Sequence, residues 1–301
     1  MLSQNQGRYG SRVGDDRVWR LRGEELRFPP SRAAGIVNVT DDSFFAGSRS
    51  GTPERAVAAG LRLVADGFDL LDVGAVAARS GPPVPAADET ARLVPAVERL
   101  AAESGVPVIA DTFSAAAAAA ALDAGALAVN DTSGAADPAL LELVADSGCG
   151  YVLMHIEGPP RTEREPRPRA DPVAEVRAWL AARIESALAA GVAPQQIAID
   201  PGLDFDLTVD DDLEILRRLD ELRSLGRPLY LALSRKDFLG AVLAGSWEDR
   251  EPAERREWAT AAAAALAVAA GAELLRLHDR TVLDAVRVAE AIARPEGVAV
   301  G

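Results

Sequence analysis

The sequence predicts a single α/β domain folded as a (β/α)₈ barrel with a short N-terminal hairpin. Three observations carry that expectation. Short apolar, β-branched runs alternate with longer stretches of helical spacing, eight times over. Nearly every run closes on a polar residue, a pattern suited to the carboxyl-end rim of a parallel barrel. The chain has 301 residues, 49% of them hydrophobic, which is enough for one large barrel core.

The strand-like runs are AAGIVN (33–38), DLLDVG (69–74), PVIAD (107–111), LAVND (127–131), YVLMH (151–155), QIAID (196–200), LYLALS (229–234) and LLRLH (274–278). Helical stretches lie between them at 53–66, 87–103, 114–124, 138–146, 172–190, 211–225, 254–270 and 281–293. Eight units in about 260 residues fit a closed barrel better than an open doubly wound sheet. The segment RVWRLRGEELRF (17–28) reads as a hairpin turning at Arg22 and Gly23, placed to plug the barrel's bottom. Residues 1–16 are expected to form a flexible N-terminal segment, 17–293 the barrel, and 294–301 a C-terminal tail.

Composition removes several function classes. The net charge of −14 is spread along the chain, which argues against nucleic-acid binding, because that needs a basic stripe. A small anionic substrate stays possible, since local cations and backbone amides can outweigh the global field. The one cysteine, Cys149, permits neither an intrachain disulfide nor a thiolate zinc cluster, and reads as a small buried hydrophobe. The N-terminal stretch has no apolar h-region, and the apolar run 260–271 is too short to span a bilayer. A cytoplasmic protein without membrane contact is expected.

The polar strand ends are the functional candidates: Asn38, Asp72, Asp111, Asn130 with Asp131, His155, Asp200, Ser234 and His278. Asp, Asn and Ser also favour helix caps and turns, so any one of them has a bland explanation. Together they read as a catalytic rim. Asn38, in GIVNVTDDSF (35–44), is a plausible Mg²⁺ ligand, because that ion takes hard oxygen donors and shares them with phosphates. IDPGLDF places Asp200 before a tight turn. In LALSRKDFLG (231–240), Ser234 is expected to cap a helix that Arg235 and Lys236 lead into. Arg276 and His278 share one side of their strand, since side chains alternate. Asp131, next to Asn130, should point away from the same pocket.

In this order the motifs resemble the pterin-binding barrel family, and within it the dihydropteroate synthases. The matching stretches are GIVNVTDDSF, ADTF with Asp111, NDTSG with Asn130, Met154 with His155, Asp200-Pro201-Gly202, Ser234-Arg235-Lys236 and Arg276-x-His278-Asp279, spanning roughly 17–293. The resemblance implies condensation of a pterin pyrophosphate with 4-aminobenzoate, releasing pyrophosphate. It implies that Asp111, Asn130, Met154 and Asp200 bind the pterin, and that Phe205, Ser234 and Lys236 complete the substrate pockets. It further implies that Lys236, Arg276, His278 and Arg79 form the catalytic set around the departing pyrophosphate. Mg²⁺ held through Asn38 and a homodimer through the Ala-rich late helices also follow from it.

Departures from the family pattern fall in two loops. A GESTRPG-like second-strand loop reads AVAARSG (75–81) here, keeping Arg79 and Gly81 but placing Ala78 where Thr is usual. After Asp-Pro-Gly the family runs Phe-Gly-Phe-Gly-Lys, whereas this chain has Leu203, Asp204, Phe205, Asp206 and Leu207. Asp204 is expected near the pterin edge. These changes keep two alternatives open, a pterin-binding paralogue without the condensation and a methyltetrahydrofolate-dependent methyltransferase barrel.

Overall fold

In a computed structural model describing residues 17–39, 52–162 and 164–293, eight parallel strands close into a barrel surrounded by helices. The expected terminal segments 1–16 and 294–301, and the loop 40–44 of the first motif, lie outside the described residues. The chain enters through the expected antiparallel hairpin, β1 (Arg17–Leu21) and β2 (Glu24–Phe28). Then follow β3 (Arg32–Asn38), α1 (Pro53–Ala65), β4 (Leu70–Gly74), α2 (Ala86–Glu103), β5 (Val108–Asp111) and α3 (Ala115–Asp123). Next come β6 (Ala128–Asp131), α4 (Pro138–Ser147), β7 (Gly150–Met154), α5 (Pro172–Ala189) and β8 (Ile197–Asp200). The last part holds α6 (Val209–Arg217), α7 (Leu219–Arg223), β9 (Tyr230–Ala232), α8 (Asp237–Ala244), α9 (Glu257–Ala269), β10 (Leu274–Leu277) and α10 (Arg280–Ala293). The sheet runs β8-β7-β6-β5-β4-β3-β10-β9, and a parallel bridge between Ile199 and Leu229 completes the ring.

Strand alternation divides the apolar residues into two cores. Inside the barrel, Ala34, Leu70, Ile109, Ala128, Val152, Ala198, Tyr230 and Leu274 form a lower layer. Trp19, Leu21 and Phe28 of the hairpin close it from below, so the plug is real. The Trp19 indole N–H donates to the Gln196 carbonyl at 2.7 Å, which satisfies its one polar atom. Trp19 and Leu21 also fill the space a side chain at position 150 would need, so β7 begins on Gly150. Residues of the opposite parity, such as Leu71, Val129, Leu153 and Leu275, face the helices in the outer core.

Helix starts follow from local chemistry. Thr52, Ser114, Asp137, Asp171 and Thr208 each accept a first-turn N–H through the side chain. Pro53, Pro138 and Pro172 occupy first helical positions, where a missing N–H costs nothing.

Two helices differ from expectation. The stretch 211–225 breaks at Arg218, whose backbone (φ −122°, ψ 33°) leaves the helical region. Its guanidinium spreads over Glu214 and Glu221, at helical spacing, and over Asp171, which is 47 residues away in the chain. The stretch 254–270 starts only at Glu257, behind a 3₁₀ turn over Ala253–Arg255. Arg235 and Lys236 do lead into a helix, the short α8.

Candidate active site

Inward parity gathers the sequence-predicted residues at one end of the barrel. Two or four residues beyond the apolar layer, the same faces carry Asn38, Asp72, Asp111, Asn130, Met154, Asp200, Ser234, Arg276 and His278. Asp72 is at its centre. It is fully buried, and its Oδ1 faces Arg276 Nη2 at 2.9 Å. Its Oδ2 accepts from Asn130 Nδ2 at 3.1 Å and from the Tyr230 hydroxyl. Arg276 Nη2 also donates to Asp111 Oδ2 at 2.7 Å, so one guanidinium bridges two carboxylates.

Burial and charge set the protonation states. Burial pushes Asp111 up to about 7, although Arg276 pulls it back. Asp200 is raised to about 6 by burial, against the opposing pull of the Gly202 N–H and Lys236. Burial lowers the Lys236 ammonium, with Asp204 and Asp200 partly restoring it. For Arg276, burial is outweighed by Asp72 and Asp111, and its pKa lies above the ordinary value.

Lys236 follows β9, the strand paired with the one that carries Arg276. Its Nζ donates to the Leu203 carbonyl at 3.0 Å and stands 4.6 Å from the centre of the Phe205 ring, a cation–π contact. Arg79 reaches in from the β4–α2 loop, pairing with Asp237 Oδ2 at 2.6 Å and Asp204 Oδ2 at 3.2 Å. A cavity of about 530 Å³ opens beside them, lined among others by Arg79, Phe205, Ile156 and Trp247. Asn38 is half-buried at the end of β3.

His278 enters the site uncharged. Burial, then the neighbouring Arg276, Arg235 and Lys236, lower its pKa to about 3. The Ser234 Oγ accepts from the His278 backbone N–H at 3.3 Å and lies 2.8 Å from Nδ1. The contact at Nδ1 orients the ring, with the donor set by the imidazole tautomer.

Ser234 does not cap α8, contrary to the sequence expectation. That helix starts at Asp237 with Lys236 as its N-cap residue and no side-chain cap from it. The hydrogen bonds come instead from Asp204, which accepts from the Asp237 N–H at 2.6 Å and the Phe238 N–H at 3.2 Å. Asp131 points away from the pocket as expected, accepting from Ser133, Ala135 and the Tyr151 hydroxyl. His155 also faces outward, edge-on to Trp179 at 4.9 Å, and burial lowers its pKa to about 4.

Comparison with known proteins decides the family. Residues 34–278 match the family of pterin binding enzymes. The dihydropteroate synthase of Mycobacterium leprae is 45% identical over 272 residues, covering 87% of this chain and 94% of that protein. The chain belongs to the dihydropteroate synthases of the pterin-binding enzyme family. A second Mycobacterium leprae relative, described as inactive dihydropteroate synthase 2, is 39% identical over 87% of this chain and 89% of its own length. The structure of Xanthomonas albilineans dihydropteroate synthase with 4-aminobenzoic acid superposes with a TM-score of 0.83 at 38% identity, covering 93% of this chain and 99% of that one.

Two loops of this synthase, 75–81 and 203–207, are tied down by side chains of its own. Asp206 (φ +60°) receives Arg164 in a bidentate pair at 2.7 and 2.9 Å, and its Oδ2 accepts from the Glu157 N–H at 3.0 Å. Arg161 clasps the second-strand loop, donating to the carbonyls of Ala77 and Pro82 while its own N–H reaches Ala78 at 2.8 Å. Gly202 (φ +70°) passes so close to the His155 carbonyl that any side chain there would collide with it. The Asp204 carboxylate faces the start of α8 and Arg79.

Sequence reasoning named Asp72 as a strand end but gave it no role, and it missed Tyr230, Asp237 and the capping function of Asp204. For Asp72 a signal existed. A carboxylate inside the apolar run DLLDVG, on inward parity, demands a buried partner.

Proposed function

We propose that this chain condenses 6-hydroxymethyl-7,8-dihydropterin pyrophosphate with 4-aminobenzoate, giving 7,8-dihydropteroate and pyrophosphate. The observation that carries the reading is Arg276 held between two inward carboxylates, beside Asn130, Asp200 and Lys236, at one end of the barrel. A bare scaffold would gain nothing from burying so many charges.

In this reading the pterin lies on the inner wall. Asp111 and Asp200 accept from its amino and ring N–H groups, Asn130 serves an acceptor edge, and Met154 supplies apolar contact. Lys236 spans the join between pterin and arylamine, with Phe205 and Ser234 on the arylamine side. The amine lone pair forms the C–N bond while the C–O bond to pyrophosphate breaks, its electron pair leaving on oxygen. The nitrogen then gives its extra proton to solvent. Arg79 and Arg276 offset the charge that grows on the leaving group, and His278 donates Nε2–H to it.

The residues fit one bound Mg²⁺ shared with the substrate. No cluster of three or more His, Cys, Asp or Glu ligands occurs among the described residues, whereas Asn38 offers one hard amide oxygen where the pyrophosphate is assigned. Such an ion would supply Lewis-acid stabilisation of the leaving oxygens.

A homodimer through α9 and α10 belongs to the same reading. Trp258 and Leu266 on α9, with Val288 and Ile292 on α10, are large apolar side chains between 59 and 77% exposed. They lie eight and four residues apart on adjoining helices, so each pair forms a stripe. Light scattering should give twice the 31.5 kDa chain mass. The enzyme is taken to be cytoplasmic; no helix among the described residues is long and apolar enough to cross a membrane. The deciding experiment is a coupled assay of purified protein with the pterin pyrophosphate, 4-aminobenzoate and Mg²⁺. Absence of product above background sinks the proposal and leaves the non-condensing paralogue.

A further inference from the structure

We propose that Asp204 is a positioning residue that sets Lys236 and Arg79 in place together, through one carboxylate shared between the start of α8 and the β4–α2 loop. The inference rests on the synthase reading and adds a residue to it. Asp204 is buried at 6% exposure and adopts φ +69°, a conformation that costs a non-glycine residue. Its backbone is fixed from below, because its N–H donates to both Asp212 carboxylate oxygens at 3.1 and 3.3 Å. A strained backbone held this way delivers the carboxylate to one defined point.

At that point it has three partners. Oδ2 accepts from the Asp237 N–H at 2.6 Å, and Oδ1 from the Phe238 N–H at 3.2 Å. These are first-turn donors of α8, otherwise without a cap from Lys236, so a carboxylate from another loop does the work of an N-cap. Oδ2 also pairs with Arg79 Nη1 at 3.2 Å, and Asp237, whose own N–H it receives, takes the same nitrogen at 2.6 Å. The guanidinium is thus gripped at one end nitrogen while its residue lines the 530 Å³ cavity.

The residues flanking Asp204 hold the other cation. Leu203 offers its carbonyl to Lys236 Nζ at 3.0 Å, and the Phe205 ring lies beneath the ammonium at 4.6 Å. Three consecutive residues therefore seat the backbone and side chain of Lys236, and the middle one also fixes Arg79. Removing the Asp204 charge would free Arg79 from one of its two carboxylates and uncap the helix that carries Lys236.

The test is Asp204→Asn, which tolerates positive φ and keeps one acceptor oxygen, read by calorimetric binding of two ligands. One is the pterin pyrophosphate, the other the same pterin with a free hydroxymethyl group. We expect the pyrophosphate form to bind about tenfold more weakly and the hydroxymethyl form, which meets Lys236 but carries no anion for Arg79, about threefold more weakly. The excess loss of the pyrophosphate form should vanish in an Arg79→Ala background, because Asp204 acts on the anion through that arginine, and the smaller loss common to both ligands should remain. Equal weakening of both ligands, an unchanged or tighter pyrophosphate complex, or a full loss persisting without Arg79 would overturn the inference. If Asp204→Asn fails to fold, Asp204→Gly, which suits the same φ, carries the same comparison. A wild-type protein that binds neither ligand overturns the synthase reading itself, a result separate from a wild type that binds while the variant matches it.

Discussion

Asp72→Asn tests whether the buried hub, rather than the barrel alone, holds the site. The carboxylate has no exposed surface, and its two oxygens receive Arg276 at 2.9 Å, Asn130 at 3.1 Å and the Tyr230 hydroxyl. An amide of the same shape has one acceptor oxygen and two donors. Turned toward Asn130 and Tyr230, its oxygen keeps both, but its NH₂ then faces the guanidinium, donor against donor. The other rotamer keeps Arg276 and sets the NH₂ against two donors. Breaking a buried charge pair costs about 3–5 kcal/mol, and Arg276 retains Asp111, so the low end, about 3 kcal/mol, is expected. For a domain of this size that is a fall in Tm of about 5–8 °C, measured by scanning calorimetry. Arg276→Met alone should be similarly costly, since it strands Asp72 and Asp111, whereas Asp72→Asn combined with Arg276→Met should recover at least about 2 kcal/mol relative to the sum. Strictly additive losses, or an Asp72→Asn protein that melts with wild type, would show that the three-way contact does not bear on the fold.

Three further outcomes are expected. Lys236→Ala should leave the melting temperature near wild type while condensation falls by about 10²-fold or more, roughly 2.7 kcal/mol of barrier, in a steady-state assay; retained activity would remove Lys236 from the reaction. Pterin affinity should decline as pH drops. Asp200, raised to about 6 by burial, binds pterin donors as a carboxylate, so protonation below about pH 6 competes with binding by up to tenfold per unit. A flat affinity between pH 7 and pH 5 by calorimetry would exclude that role. EDTA should abolish turnover while scarcely changing the affinity of a pterin without its diphosphate, and equal loss of both would make the metal structural.

Much of the architecture was legible because its signals are local. Eight apolar runs of strand length separated by helical spacing report a parallel barrel, and alternation along each run places Asp111, Asn130, Asp200 and Arg276 on one inner wall. Helix starts were legible for the same reason, since Ser114, Asp171 and Thr208 act on N–H groups three residues away. The family resemblance rested on those same strand ends.

What only tertiary structure decided were contacts between residues far apart in the chain. Nothing in the order of residues joins Asp72 to Tyr230 across 158 positions, Arg276 to Asp111 across 165, or Asp204 to the N-terminus of α8 across 33. Ring closure alone brings those strands and loops into register. Protonation was hidden for the same reason: His278 is neutral and Asp200 shifted because burial and the surrounding cations are properties of the closed barrel. The reassigned cap of α8 shows the limit most plainly. Ser234 stands two residues before Lys236 and looked like the natural cap, yet its hydroxyl is turned to His278 in the neighbouring strand's end, and a carboxylate from another loop takes the helix instead. Sequence fixes which groups are available to satisfy a buried donor, and the packing of distant segments selects which one does so.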